Sequence, residues 1–503
     1  MSSAAATAAA ASRAAHRAPG VDRYLCAWTW LEPVFARYVY GELLRPGLRA
    51  IAPAYGVDLV ALARHASAAR RHRRLVIALA ALDLVLVVAA VVVTVLVGVR
   101  AGHLGRALLV ALLVPVAGAL LLVILVGWHL YATRSRAHRI LEAPGDPRES
   151  APAIGDGAER RLAASAEANV VPFGGGIPFV GAGYRLERWK VRIDTTKPGR
   201  DSGGRLKTVT PVRAEELQKA LSIEVRRAGI PDIQVHNRLF VAGRATYQVA
   251  GLQPDREQAP SAAVERSEIR KAIEGSTEYA RTYLCVEKDS WQGELVVTMF
   301  LRAVLFGTDL FVEFHAYVLL PLHPAIHAAD DLPATVTGRL IAVVRAAVPD
   351  TVRLVRAAPG TVATMLRWRW LVARRLVRER RRARRVSSFN YGAAGGLRAL
   401  LAAKQREWLF AYEDEDMHVQ AVRTRVLKVI TRYVEEHGID TSDLERQQTR
   451  ITTKVFKIGD IRGRNVVIGD NTIFQQLSSG GADPADDEPD DDDHDDDEES
   501  GKP

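Results

Sequence analysis

Two runs of 25 residues, Leu75–Val99 and Ala107–Tyr131, are almost wholly apolar and limit what this chain can fold into more than any other feature. At about 1.5 Å per helical residue each would extend about 37 Å, enough to cross a hydrocarbon core of about 30 Å with some tilt. Asp83 is the one charge inside them. The intervening stretch, Arg100–Arg106, is short and holds Gly102 and Gly105, so the helices must return antiparallel as a hairpin. The first run begins behind a polar and aromatic leader, which is unlike a cleaved signal sequence.

Arginine bias predicts the orientation. Arg70, Arg71, Arg73 and Arg74 precede the hairpin and Arg134, Arg136 and Arg139 follow it, against Arg100 and Arg106 in the loop. Both termini are therefore expected in the cytoplasm, with the chain a two-pass protein of the plasma membrane. Trp128, His129 and Tyr131 then fall at the inner interface, where amphipathic rings are favoured. At mid-bilayer Asp83 would cost about 2.5–3.5 kcal/mol. Its place early in the first helix suits a hydrated position near the inner interface; the other readings are a polar contact between copies or a proton or ion pathway.

At 503 residues the chain is long enough for two or three folded units. The net charge of +10 is a sum of opposed blocks, because Asp483–Glu499 carries thirteen acidic residues, without which it would stand near +23. That basic excess suits an anionic partner: a lipid surface, nucleic acid or the chain's own acidic tail. Cys26 and Cys285 are the only cysteines, which argues against a disulfide framework or a zinc site.

The expected class is α+β: a two-helix transmembrane hairpin followed by a cytoplasmic α+β domain with an antiparallel sheet and C-terminal helices. Residues 1–19 read as a disordered Ala-rich leader. Residues 20–74 read as amphipathic helices broken at Pro33 and Pro46, which pack on the domain or lie on the membrane. The hairpin occupies 75–131 and a linker 132–168. The α+β domain covers 169–360, with a strand at Arg185–Thr195, a helix at Glu215–Arg227, a meander through Tyr283–Glu287, Leu295–Leu305 and Leu310–Leu320, and a covering helix at Ala334–Val348. Arginine-rich and amphipathic helices fill 361–450, the second burying Val419, Val422, Val426, Val429 and Tyr433, with Gly438 as its C-cap and a capping box at Ser442 and Glu445. A short β-rich end at 451–478 and a disordered acidic tail at 479–503 complete the chain.

Candidate sites are few. The glycines Gly174–Gly176, Gly181 and Gly183 lack the Gly-Lys-Ser/Thr of a phosphate loop and read as a tight turn region. His323 and His327 with Asp330 could ligate a metal if Pro324 opens a helix that places both rings on one face, but the Glu of a zinc-protease motif is absent. Arginines dominate Leu366–Arg385, and Arg374, Arg375, Arg378, Arg381, Arg382 and Arg385 with Trp368 and Trp370 suit anionic headgroups, at about 1 kcal/mol per exposed arginine. Nucleic acid is a weaker fit.

The segments Val171–Tyr184 (VPFGGGIPFVGAGY), Trp291–Arg302 (WQGELVVTMFLR), Leu319–Leu322, Phe389–Ala393 (FNYGA) and His437–Leu444 (HGIDTSDL) together resemble a family of uncharacterised actinobacterial membrane proteins. The resemblance implies no catalytic residues. The Ile458–Ile473 end is similar to short tails of some actinobacterial conflict-system proteins, which implies a defence or signalling association. The expectation is thus a non-enzymatic, membrane-tethered binding protein, without a cofactor, that contacts anionic lipid and a protein partner or a second copy. The alternatives are a metal-dependent hydrolase or transferase using His323, His327 and Asp330 near the membrane, and an oligomeric transporter or channel using Asp83.

Overall fold

The computed structural model describes residues 20–44, 47–143, 145–275, 277–333, 335–403 and 408–458, without the side chains at 104, 107, 354, 357–369, 371–373, 375 and 452–458. The expected leader at 1–19, the acidic tail and Pro46 lie outside them.

Helix α1 is Val21–Leu31, and α2 is Pro33–Val39, which runs on as a π turn through Leu44. Pro33 starts a helix, since at the first position its missing N–H is not needed, while Glu32 accepts from the Val34 N–H. Helices α3, Leu59–Arg100, and α4, Leu104–Glu142, contain the two apolar runs and pack on each other. Asp58 caps α3 by accepting from the N–H groups of Val60 and Ala61.

Both helices overrun the apolar stretches at the end away from the loop, which corrects the expected linker at 132–168. Residues 132–142 continue α4, because Ala137, Ile140 and Leu141 bury there. Asp156–Ala166 forms α5, anchored by Leu162. Helix α1 packs on α3 and α4 just beyond their apolar parts.

The domain then unfolds along the chain as β1 (Val170–Phe173), β2 (Tyr184–Asp194), α6 (Ala214–Arg226), β3 (Gln234–Ala242), α7 (Arg266–Glu274), β4 (Ala280–Ser290), β5 (Leu295–Phe306) and β6 (Asp309–Leu319). The six strands form one sheet in the order β1-β3-β4-β5-β6-β2. The meander β4 to β6 is antiparallel, as expected, and antiparallel pairing extends it to β3 on one side and β2 on the other. The sheet is nevertheless mixed: β1 joins β3 in parallel, Val170 opposite Leu239. The long crossover that parallel pairing requires is supplied by β2 and α6.

Alternation along β5 sorts its side chains between two cores. Leu295, Val297, Met299, Leu301 and Ala303 face a core shared with α6 and a later helix, α9, while Val296 and Phe300 face an aromatic core with Phe179, Phe240, Tyr283 and Tyr317. Both faces are covered, which is why the central runs read as continuously apolar.

Helix α8 is Val336–Arg385, a single helix of 50 residues. The expected covering helix at 334–348 and the arginine helix are therefore one element, and it packs against α4, not the sheet. Its buried side is the narrow stripe Arg339, Val343, Ala347 and Thr351 at four-residue spacing, suited to close helix contact. Helix α9, Leu409–Glu436, buries Val419, Val422, Val426, Val429 and Tyr433 as expected, and Gly438 follows with φ +72°. Helix α10 is Ser442–Ile458, so the first part of the expected β-rich end is helical. Its box is displaced by one residue: the Thr441 hydroxyl donates to Glu445, and Asp440 holds Ser442.

The glycine segment after β1 is a turn region seated on backbone. Gly174 donates its N–H to the Ala393 carbonyl, Ala393 donates to Pro172, Tyr391 donates to Gly243, and Gly243 donates to Phe173. The Asn390 side chain donates to the Gly174 carbonyl. The chain leaving α8 is thereby laid against the end of β1.

Candidate membrane-facing surface

Along α3 and α4 the apolar side chains point outward. In the most apolar eighteen-residue stretch of each helix only 6% and 11% of the residues are buried. Two helices long and apolar enough to cross a membrane, exposed over that length, are unlike core helices of a soluble domain. They touch at Gly118, where an added Cβ would lie 2.3 Å from Val87 Cγ2 and 3.8 Å from Asp83 Oδ2. Asp83 therefore lies at the seam between the helices, about 12 Å along the helix from Leu75.

Below the apolar part three of the flanking arginines, Arg70, Arg73 and Arg136, are drawn into structure. The Arg136 guanidinium covers the Trp30 ring at 4.7 Å, and Arg70 covers Tyr40 at 4.4 Å. Arg73 donates to the Trp30 carbonyl at 2.8 Å, and burial pulls its pKa down to about 10.

 The Trp30 indole N–H donates to His65 Nδ1 at 3.2 Å, and His72 packs its ring against Trp30, Trp128 and His129. The aromatic N-terminal segment thus clasps the base of the hairpin, whereas packing on the domain or a place on the membrane was expected.

Helix α8 meets α4 beside Gly127, from which an added Cβ would lie 3.7 Å from both Val343 Cγ1 and Ala347 Cβ. At its far end the arginine block is exposed: Arg378, Arg381, Arg382 and Arg385 face solvent. Arg374 stacks on the half-exposed Trp370 ring at 3.7 Å. Arg384 pairs with Glu257, donating at 2.8 Å. The side chains of Trp368 and Arg375 lie outside the described residues.

The metal candidates separate. Pro324 does open a helix, but it ends at His327, and His323 caps it, its Nδ1 accepting from the Ala325 N–H at 3.2 Å. His327 turns to Glu294 instead, at an ion-pair distance of 3.4 Å, and Asp330 accepts from the Tyr24 hydroxyl at 2.8 Å. Among the described residues no group of three His, Cys, Asp or Glu could hold a metal ion. The Tyr24 ring packs on His327 at 4.6 Å, and Glu294 also accepts from the Leu322 N–H at 2.7 Å. Buried Arg398 donates to the carbonyls of Glu294 and Leu320. This cluster joins α1 to the sheet domain. Sequence reasoning missed Tyr24, Glu294 and Arg398 because their positions are scattered along the chain.

Three arginines inside the domain are paired with carboxylates. Arg238 donates to Glu287 at 2.7 Å, Arg423 to Glu187 at 2.9 Å, and Arg302 lies 3.5 Å from Glu313. Cys26 and Cys285 are both buried and free.

An α+β domain with a mixed six-stranded sheet, joined to two long apolar helices, is the class that these elements define. The chain belongs to the family of the AbeC-like domain, which matches residues 188–472, more than half of its length. That match begins within β2 and includes α8, α9 and α10, while the two apolar helices precede it. No curated protein and no solved structure matches the chain.

Proposed function

We propose that the chain is a two-pass membrane protein that works by binding, its sheet domain held at the cytoplasmic face and the arginine end of α8 docked on anionic lipid. The observation that carries this reading is the outward-facing apolar surface of α3 and α4, whose length suits the hydrocarbon core of a bilayer. The arginine asymmetry around the hairpin supports the side. Exposed Arg378, Arg381, Arg382 and Arg385 supply the charge for headgroups, each about 1 kcal/mol near an anionic surface. Paired interior charges support binding over catalysis, since Arg238, Arg302 and Arg423 are each neutralised by a carboxylate of the fold.

Cysteine accessibility in intact cells tests the placement. His103 in the loop and Ser202 in the domain are both exposed, and the native cysteines are buried. His103 is preferable to Gly102, whose φ of +69° disfavours a side chain. An impermeant maleimide should label His103→Cys and spare Ser202→Cys. Labelling of Ser202→Cys alone would invert the topology and remove the anionic leaflet from the lipid contact.

A further inference from the structure

We infer that the first half of α8, Val336–Arg356, is itself a lipid-embedded amphipathic segment, so that the membrane contact consists of three helices and not two. The inference rests on the proposal that α3 and α4 span a bilayer, and goes beyond it by assigning a new surface.

Leu340, Ile341, Val344, Val348, Val352 and Val355 are all exposed, between 44% and 71%, although all are large and apolar. At 3.6 residues per turn they fall on one continuous arc of the helix. Beside that arc runs the stripe Arg339, Val343, Ala347 and Thr351, buried toward α4. Opposite it, Arg345, Arg353 and Arg356 are exposed, with Arg353 held 3.1 Å from Asp350. The helix therefore has three sides: one for α4, one apolar and uncovered, one basic.

The level of the contact identifies what covers the apolar side. Val343 and Ala347 meet α4 at Gly127, four positions inside the end of the apolar run at Tyr131, about 6 Å along the helix. Val344 and Val348 belong to the same turns of α8 and so stand at the same level. Around Gly127 the exposed neighbours on α4, Leu120, Leu121 and Ile124, are apolar too. The apolar arc of α8 is thus continuous with the outward surface of the hairpin, and whatever solvent covers one covers the other. Basic residues on the opposite side suit anionic headgroups at the edge of that layer. The four charges between Arg345 and Arg356 make this segment unsuited to crossing the bilayer and suited to its boundary.

Depth-dependent quenching in the full-length chain tests this. A polarity-sensitive fluorophore is attached at Val344→Cys, at Arg353→Cys on the basic side, and at Leu86→Cys midway along the apolar run of α3, and the protein is placed in vesicles containing phosphatidylglycerol and nitroxide-labelled acyl chains. Quenching at Val344 reaching at least about half of that at Leu86, with Arg353 much less quenched, is the expected result for a helix embedded about 5–10 Å into the boundary. Quenching at Leu86 without quenching at Val344 overturns the inference while leaving the hairpin in place. A blue-shifted, unquenched Val344 label identifies a second protein copy as the cover and overturns it equally. No quenching at Leu86 removes the spanning hairpin, and this segment's lipid contact with it.

Discussion

Replacing Gly392 by alanine should destabilise the sheet domain far more than its size suggests. A Cβ at this position would lie 2.1 Å from the Phe173 carbonyl carbon, 2.2 Å from its oxygen and 2.4 Å from the Gly174 nitrogen. All three are backbone atoms, so no rotamer change relieves the contact. Reaching ordinary separation of about 3.5 Å requires the strands to part by more than about 1 Å. Three hydrogen bonds cross that gap, from Tyr391 to Gly243 at 2.9 Å, Ala393 to Pro172 at 2.9 Å and Gly174 to Ala393 at 2.8 Å. Lengthened by that amount they pass beyond hydrogen-bond distance, and each contributes about 1 kcal/mol.

With some loss of packing around buried Phe389 and Tyr391, the cost comes to about 3–4 kcal/mol. For a cooperative unit of about 150–250 residues that lowers the melting temperature by about 6–16 °C. Thermal unfolding of the full-length protein in detergent, followed by circular dichroism, reads the effect. Gly395→Ala is the control, three positions on, where an added Cβ meets nothing within 4 Å. If Gly392→Ala melts within about 2 °C of that control, the Phe389–Ala393 segment is not seated on β1 and the reasoning fails.

Other perturbations test other contacts. Glu294 holds the His327 imidazole above its ordinary pKa, so the stability it contributes is complete below about pH 6.5 and is lost as pH rises through the higher folded value. Wild-type melting temperature should then fall as pH rises above about 6.5 more steeply than that of His327→Gln; parallel curves would exclude the pair. Glu287→Ala leaves Arg238 buried without its carboxylate and should cost about 3–5 kcal/mol in denaturant unfolding, against a near-neutral result if water replaces the partner. Gly118→Val, whose Cβ would meet Val87, should lower the melting temperature of the hairpin in detergent, whereas Gly105→Ala, with open space around it, should not.

Much of the architecture was legible because it is written in run length and period. The length of Leu75–Val99 and Ala107–Tyr131 marks the two apolar helices, and the turns between Tyr283 and Leu320 mark the meander. Helix α8 was misread for a physical reason: a side chain that faces a protein core and one that faces open apolar surroundings look alike in sequence. Residues 334–348 therefore suggested a helix covering the sheet, and only the structure shows this stretch of α8 against α4 with its apolar side uncovered. The pairing of β1 with β3 was hidden because a four-residue strand carries little period, and its partner lies far along the chain. Likewise the segments VPFGGG and FNYGA stood out as patterns, but their reason, one backbone resting on another at Gly174, Gly243 and Gly392, is a matter of tertiary approach.

The same structure changes the weight of the arginines that set the orientation. Of those flanking the hairpin, Arg70, Arg73 and Arg136 are bound to Tyr40, the Trp30 carbonyl and the Trp30 ring. Their charge stays on the same side of the apolar layer, so the bias they impose on insertion is kept while their headgroup contact is not. On the proposed reading, lipid attraction comes from the arginines left exposed: Arg71, Arg74 and Arg139 beside the hairpin, Arg345, Arg353 and Arg356 beside the apolar arc of α8, and Arg378 to Arg385 beyond it. One helix would thus carry the apolar and the basic parts of the contact. Because its chain continues directly into the Phe389–Ala393 segment on β1, and because Tyr24 ties α1 to Asp330 just before it, the domain is fastened to the hairpin base at two places. A domain held twice has a fixed orientation to the two apolar helices, which a single linker at 132–168 would not have given.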